Sequence, residues 1–175
     1  MRIIFFFFTS LLIFSGCRVT KEEAAAIAAE DRAWFDLAVQ ALNERDFVLE
    51  ADRVDFRRGR FAYVNANTNF ISLNGNRATI QMAFNSPYAG PNGIGGITVD
   101  GSASNVKMER DKNGNITFSM MVQGVAVSAN VTFQMMKGTN KCTATVTPNF
   151  NSNRITFTGS LFPTSQSNVF KGRSI

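Results

Sequence analysis

Residues 125–136 read VAVSANVTFQMM. Val125, Val127, Ala129, Val131, Phe133 and Met135 fall on one side of an extended chain, and Ala126, Ser128, Asn130, Thr132 and Gln134 on the other, because successive Cβ atoms of a strand point to opposite faces. One apolar and one polar face is the pattern of an antiparallel sheet wetted on one side; parallel strands, covered on both faces, read as unbroken apolar runs. The alternation recurs at Ala78, Ile80, Met82 and Phe84, at Ile116, Phe118, Met120 and Val122, at Cys142, Ala144 and Val146, and at Ile155, Phe157 and Leu161. Asn74-Gly75, Asp111-Lys112-Asn113-Gly114 and Lys137-Gly138-Thr139-Asn140 separate these runs with residues suited to tight hairpins. From Asp46 onward about nine candidate strands follow at even spacing, with no linker dividing them.

The expected fold is mainly β: a single antiparallel up-and-down sheet, strongly curved or closed into a lipocalin-like barrel, with a two-sheet sandwich as the alternative that periodicity leaves open. Gly95, Gly96, Gly101, Gly124 and Gly159, inside or beside strands, suit the bends that curvature needs. Ahead of the strands, Thr20 and Glu23 match a capping box. The stretch 24–43 carries Ile27, Trp34, Ala38 and Ala41 at helical spacing, which predicts one amphipathic helix packed on the sheet through Trp34 and Phe35.

The N-terminus reads as an address. Arg2 precedes the apolar run IIFFFFTSLLIF at residues 3–14, then Ser15, Gly16 and Cys17, the layout of a secretory signal. Twelve apolar residues fall short of the roughly 20 that span a bilayer as a helix. Cys17 after Ser-Gly resembles the lipobox of bacterial lipoproteins, with Phe14 where that motif usually carries Leu, Val or Ile; a plain secretory signal is the alternative. The division expected is a signal peptide over 1–16, a short tether over 17–23 beginning at the lipidated Cys17, and a single helix-plus-β domain over 24–175. Two acyl chains on Cys17 would make the membrane a partner through a stable anchor. That would leave Cys142 alone as a small buried hydrophobe.

With no His among 175 residues, Ser-His-Asp and Cys-His catalysis and His-ligated zinc or haem are excluded, and two Cys cannot build a four-cysteine metal site. No cofactor is expected. Residues 18–55 hold five basic and ten acidic groups, a net −5, whereas residues 56–175 hold twelve basic groups against Asp100, Glu109 and Asp111, a net +9. Two readings follow: the opposite charges cancel within one compact body, or a basic face around Arg57, Arg58 and Arg60 meets an anionic partner. Nucleic acid is not expected, since the basic residues lack interleaved aromatics.

Short motifs carry little chemistry. Gly90 to Gly96 (GPNGIGG) lacks the Lys-Ser or Lys-Thr of a phosphate loop and reads as a tight connection. Ser104 and Lys107 have Ser-x-x-Lys spacing, but residues three apart on a regular strand face opposite ways. Asp111 to Gly114 is a turn rather than half a calcium loop. Glu50 and Asp52, two apart on one strand face, read as solvent-facing. Tyr88 and Asn92 are the candidate loop contacts.

The lipobox-like start, the acidic helix, NGIGGIT at 92–98 with Asp100-Gly101, and SNVFKG at 167–172 together resemble the Bacteroidetes lipoproteins grouped as domain of unknown function 4251. The resemblance covers about residues 35–172. It implies an exported, mostly antiparallel β domain, and it brings no activity or ligand. The function expected is that of a non-enzymatic, lipid-anchored outer-membrane protein of the cell envelope, facing periplasm or cell surface. It would bind a small apolar or anionic ligand or an envelope component. The alternative is a protein-interaction or inhibitor module acting through a sheet edge or the basic face.

Overall fold

The computed structural model describes residues 20–84, 90–150 and 153–174; Cys17 and the rest of the 1–19 segment lie outside them. One helix, α1 (Lys21–Glu44), precedes nine strands: β1 (Asp46–Asp55), β2 (Phe61–Tyr63), β3 (Phe70–Asn74), β4 (Arg77–Ala83), β5 (Gly96–Arg110), β6 (Ile116–Gly124), β7 (Ser128–Met135), β8 (Lys141–Pro148) and β9 (Ile155–Pro163). Each strand pairs antiparallel with its neighbour, and β9 returns to β1. The first half of β1 pairs with β3 and its second half with β2, so these two short strands fill one position in the wall. The result is a closed eight-stranded up-and-down barrel, which decides between barrel and sandwich.

Closure needs a close approach at the seam. Gly159 opposes Ala51, and a Cβ at Gly159 would stand 1.9 Å from the carbonyl oxygen of Glu50. A bulge between Ala51 and Arg53 lets Ala51 and Val54, three apart, both face inward. Asp52 is therefore the bulged residue, and Glu50 instead accepts a 2.6 Å hydrogen bond from Ser167, so the two acids form no pair.

At the end where β1 begins and β9 finishes, the interior is filled. The rings of Phe47, Phe118 and Phe133 meet edge-on with centroids 5.3–5.8 Å apart. Over this end lies the C-terminal half of α1, whose Phe35, Ala38, Ala41 and Leu42 join the same core. Trp34 meets Phe162 of β9 edge-on at 5.5 Å, and the Arg110 guanidinium at the end of β5 stands over the Phe35 ring. The helix starts with the expected capping box and stops at Arg45, in left-handed conformation.

Two expectations require correction. Ile27 is 54% exposed, as is every residue from Lys21 to Ala33 in lesser or greater degree, so the first half of α1 is a projecting stalk, not part of the packed face. It is held by its cap and by alanines of high helix propensity. Val125 is 96% exposed because the chain turns there: the Gly124 N–H donates to the Val127 carbonyl, and strand resumes only at Ser128. The division of labour along α1 predicts that Leu42→Ala costs about 2–5 kcal/mol in urea unfolding, whereas Ile27→Ala changes stability by less than about 0.5 kcal/mol.

Candidate functional site

Among the described residues the opposite end of the barrel is not filled. A cavity of about 250 Å³ lies here among Ile80, Met82, Val99, Ala129, Val146, Ile155 and Phe157, with Phe150 also lining it. Ile80, Val99 and Val146 keep 6–8% exposure, whereas Phe47, Phe118 and Phe133 at the filled end keep 0–1%. Two exposed apolar side chains, Phe150 and Ile97, also line this opening. Isolated exposed apolar groups are ordinary, but several around one apolar cavity form a continuous surface.

Beside the cavity, and sharing Met82, Asn153 and Ile155 with it, runs a groove lined by Phe56, Arg57, Arg58, Arg60 and Arg154. Phe56 leads out of β1 into a tight turn closed by its own N–H donating to the Arg60 carbonyl at 2.7 Å. Arg58 and Gly59 inside the turn both have positive φ, 66° and 71°. A left-handed arginine costs of order 1 kcal/mol, so the turn is held by its surroundings. Arg57 donates at 3.3 Å to the side chain of Asn153, on the neighbouring connection into β9, and the Phe56 ring lies 5.6 Å from Phe84. None of the residues lining cavity or groove is acidic. Thus the three arginines singled out by sequence cluster, with Arg154 as a fourth member. A lone basic residue before Ile155 gave no local signal of that.

Asn92 is buried at 2% exposure. Its oxygen accepts from the N–H groups of Ile94 and Gly96, and its amide donates to Thr98 Oγ1 and to the Met82 carbonyl. Its polar atoms thus serve the loop itself. Tyr88 lies outside the described residues.

The Asn92 network continues through Thr98 to Gln81, whose Oε1 also accepts from Gly172 N–H and whose amide donates to the carbonyls of Thr68 and Phe170. Gln81 and Thr98 point away from the barrel interior yet are wholly buried, because the C-terminal segment lies across them. Lys171 pairs with Asp100, which also accepts from Thr79. The segments 92–98 and 167–172 thus meet in one hydrogen-bonded strap.

Other candidate chemistry falls away or changes. A bulge between Ser104 and Lys107, with Asn105 at φ 52°, puts both residues opposite outward-facing partners, Met121 and Ser119. They therefore share the outer face, contrary to the expectation for a regular strand, but both are exposed and no hydrogen bond joins them. Asp111 accepts from Asn113 N–H and from the Asn115 backbone and side chain, as a turn residue does. Cys142 is buried, and desolvation pushes its thiol up to about 12, which removes the thiolate a nucleophile needs. Among the described residues no group of three acidic or cysteine side chains could hold a metal. A larger depression of about 710 Å³ lies outside the barrel near Tyr63, Asn65 and Ile94, and its walls are more polar than apolar. The smaller mouth cavity is the better site for an apolar group, because its walls are almost wholly apolar and the burial of apolar surface supplies the free energy.

Fold and mouth define the class: an eight-stranded up-and-down barrel stoppered by a helix at one end and open onto an apolar cavity at the other. Within that class the chain belongs to the family described as Domain of unknown function (DUF4251), whose model matches residues 29–161. It is similar to the crystal structure of a DUF4251 family protein from Bacteroides eggerthii DSM 20697, with 51% identity over 85% of this chain and 99% of that chain and a TM-score of 0.71. No curated protein matches.

The strap makes part of the stability pH-dependent. Partial burial alone would raise the Asp100 carboxyl, but hydrogen bonds from Lys171 and Thr79 outweigh it and hold the group below the usual carboxylate range. A depressed carboxyl stabilises the fold above its unfolded value and stops doing so as pH falls through its folded value. Lys171→Met should therefore lower the melting temperature near neutral pH, and the gap from the parent protein should shrink in strong acid.

Proposed function

We propose that this barrel is a non-enzymatic binding module that holds the apolar part of a small ligand in its open mouth, on a protein tethered to the cell envelope through lipid on Cys17. The observation that carries the binding reading is the apolar cavity that the described residues leave at the end of the barrel opposite the helix. A methylene group fills about the volume of one water molecule in the liquid, roughly 30 Å³, so this cavity accepts a chain of about eight carbons. At about 0.8 kcal/mol per buried methylene that is enough for useful affinity after the cost of immobilising the ligand. The stalk of α1 fits the anchored arrangement: it leads from the tethered end to the stoppered end of the barrel, opposite the mouth.

The interaction-module alternative is weaker in its sheet-edge form. Closure gives every long strand two partners and, among the described residues, leaves the three-residue β2 paired on one side. The basic groove keeps its other form alive.

Filling the mouth tests the binding reading. In methyl NMR of the protein, n-octanol should shift the signals of Val99, Ala129 and Val146 and leave those of Met135 and Leu73 at the filled end in place. Ala129→Phe should abolish the shifts while keeping the native fold. Shifts spread evenly over the barrel, or none, would contradict a mouth site. Incorporation of radiolabelled palmitate, lost in Cys17→Ala, checks the anchor separately.

A further inference from the structure

We infer that the ligand is an anionic amphiphile: an acyl chain of about eight carbons seated in the mouth cavity, with a carboxylate or similar oxyanion held in the arginine groove. This rests on the binding reading above and adds the charge and polarity of the ligand to it.

The cavity and the groove are one surface. Met82, Asn153 and Ile155 line both, so a chain inserted into the apolar part ends beside the groove that Arg57, Arg60 and Arg154 line. The arginines are exposed and converge from two connections distant in sequence, the turn after β1 and the segment before β9. Their like charges repel one another, and no acidic side chain lines the groove to offset that. An anion relieves the repulsion, and a planar guanidinium matches an oxyanion in a forked hydrogen bond. The turn holds Arg58 in the left-handed region and ties Arg57 to Asn153 on the neighbouring connection into β9, so the groove is built before any ligand arrives.

The same chemistry could reach the mouth as a free amphiphile or as the chain of a lipid in a bilayer. The mouth lies at the end opposite α1, where the chain enters the barrel, which favours the free form for a protein tethered through its N-terminus.

Calorimetric titration of the protein with octanoate, n-octanol and octylammonium at low salt separates these cases. Octanoate should bind about ten-fold or more tighter than octanol, and octylammonium weakest, because a charge-assisted hydrogen bond exceeds a neutral one. Arg60→Ala/Arg154→Ala, two exposed positions, should melt like the parent protein and bind octanoate no better than octanol, with octanol affinity unchanged. Raising the salt should narrow the octanoate advantage. Equal affinity for octanoate and octanol, insensitive to the arginines, would overturn the anionic assignment and leave the apolar mouth standing. Failure of both to bind would overturn the mouth site as well. Co-flotation of the Cys17→Ala protein with phosphatidylglycerol vesicles, without octanoate binding, would overturn the free amphiphile in favour of a lipid surface.

Discussion

β1 and β9 come from opposite ends of the sheet-forming chain, and their ladder, running from the Phe47–Pro163 pair to the Asp55–Thr156 pair, turns an open meander into a tube. Every other feature inherits its constraint. Eight strands closed on themselves enclose an interior of nearly fixed width, which side chains must fill or leave empty. Gly159 permits the closure by letting the Glu50 carbonyl approach where any Cβ would collide. With the width set, the choice of side chains at each level decides the rest. Three phenylalanines and the helix close one end, while the described residues at the other leave a cavity around Val99, Ala129 and Val146.

The strands and their faces were legible because period-2 alternation is a local signal. The outward threonines line up across β7, β8 and β9, Thr132 opposite Thr145 and Thr145 opposite Thr156. Closure was not legible, since a sandwich and a barrel demand the same alternation. Nor could the bulges at Asp52 and Asn105 be read, each of which reverses the parity of facing along its strand. Gln81 and Thr98 read as wet-face residues and are buried, because the segment covering them lies some ninety positions away for Gln81. That strap also gives a physical meaning to the two short signatures at 92–98 and 167–172: they bond to each other through Gln81.

The charge split changes meaning in three dimensions. Asp46, Glu50, Asp52 and Asp55 belong to β1, within the barrel wall, so the boundary at Phe56 separates no two bodies. What remains distinct is an acidic stalk on one side and four arginines around the mouth on the other. Three of those arginines stood out as a cluster in sequence; the fourth, and the cavity they flank, depend on bringing the β8–β9 connection beside the turn after β1.

The central claim is that the barrel is solid at the helix end and hollow at the mouth. Crystals pressurised with xenon test it without reference to any ligand, since xenon enters dry apolar cavities. A xenon site is expected among Val99, Ala129 and Val146 and none among Phe47, Phe118 and Phe133. Xenon bound at the phenylalanine cluster, or absent from the mouth, would contradict it.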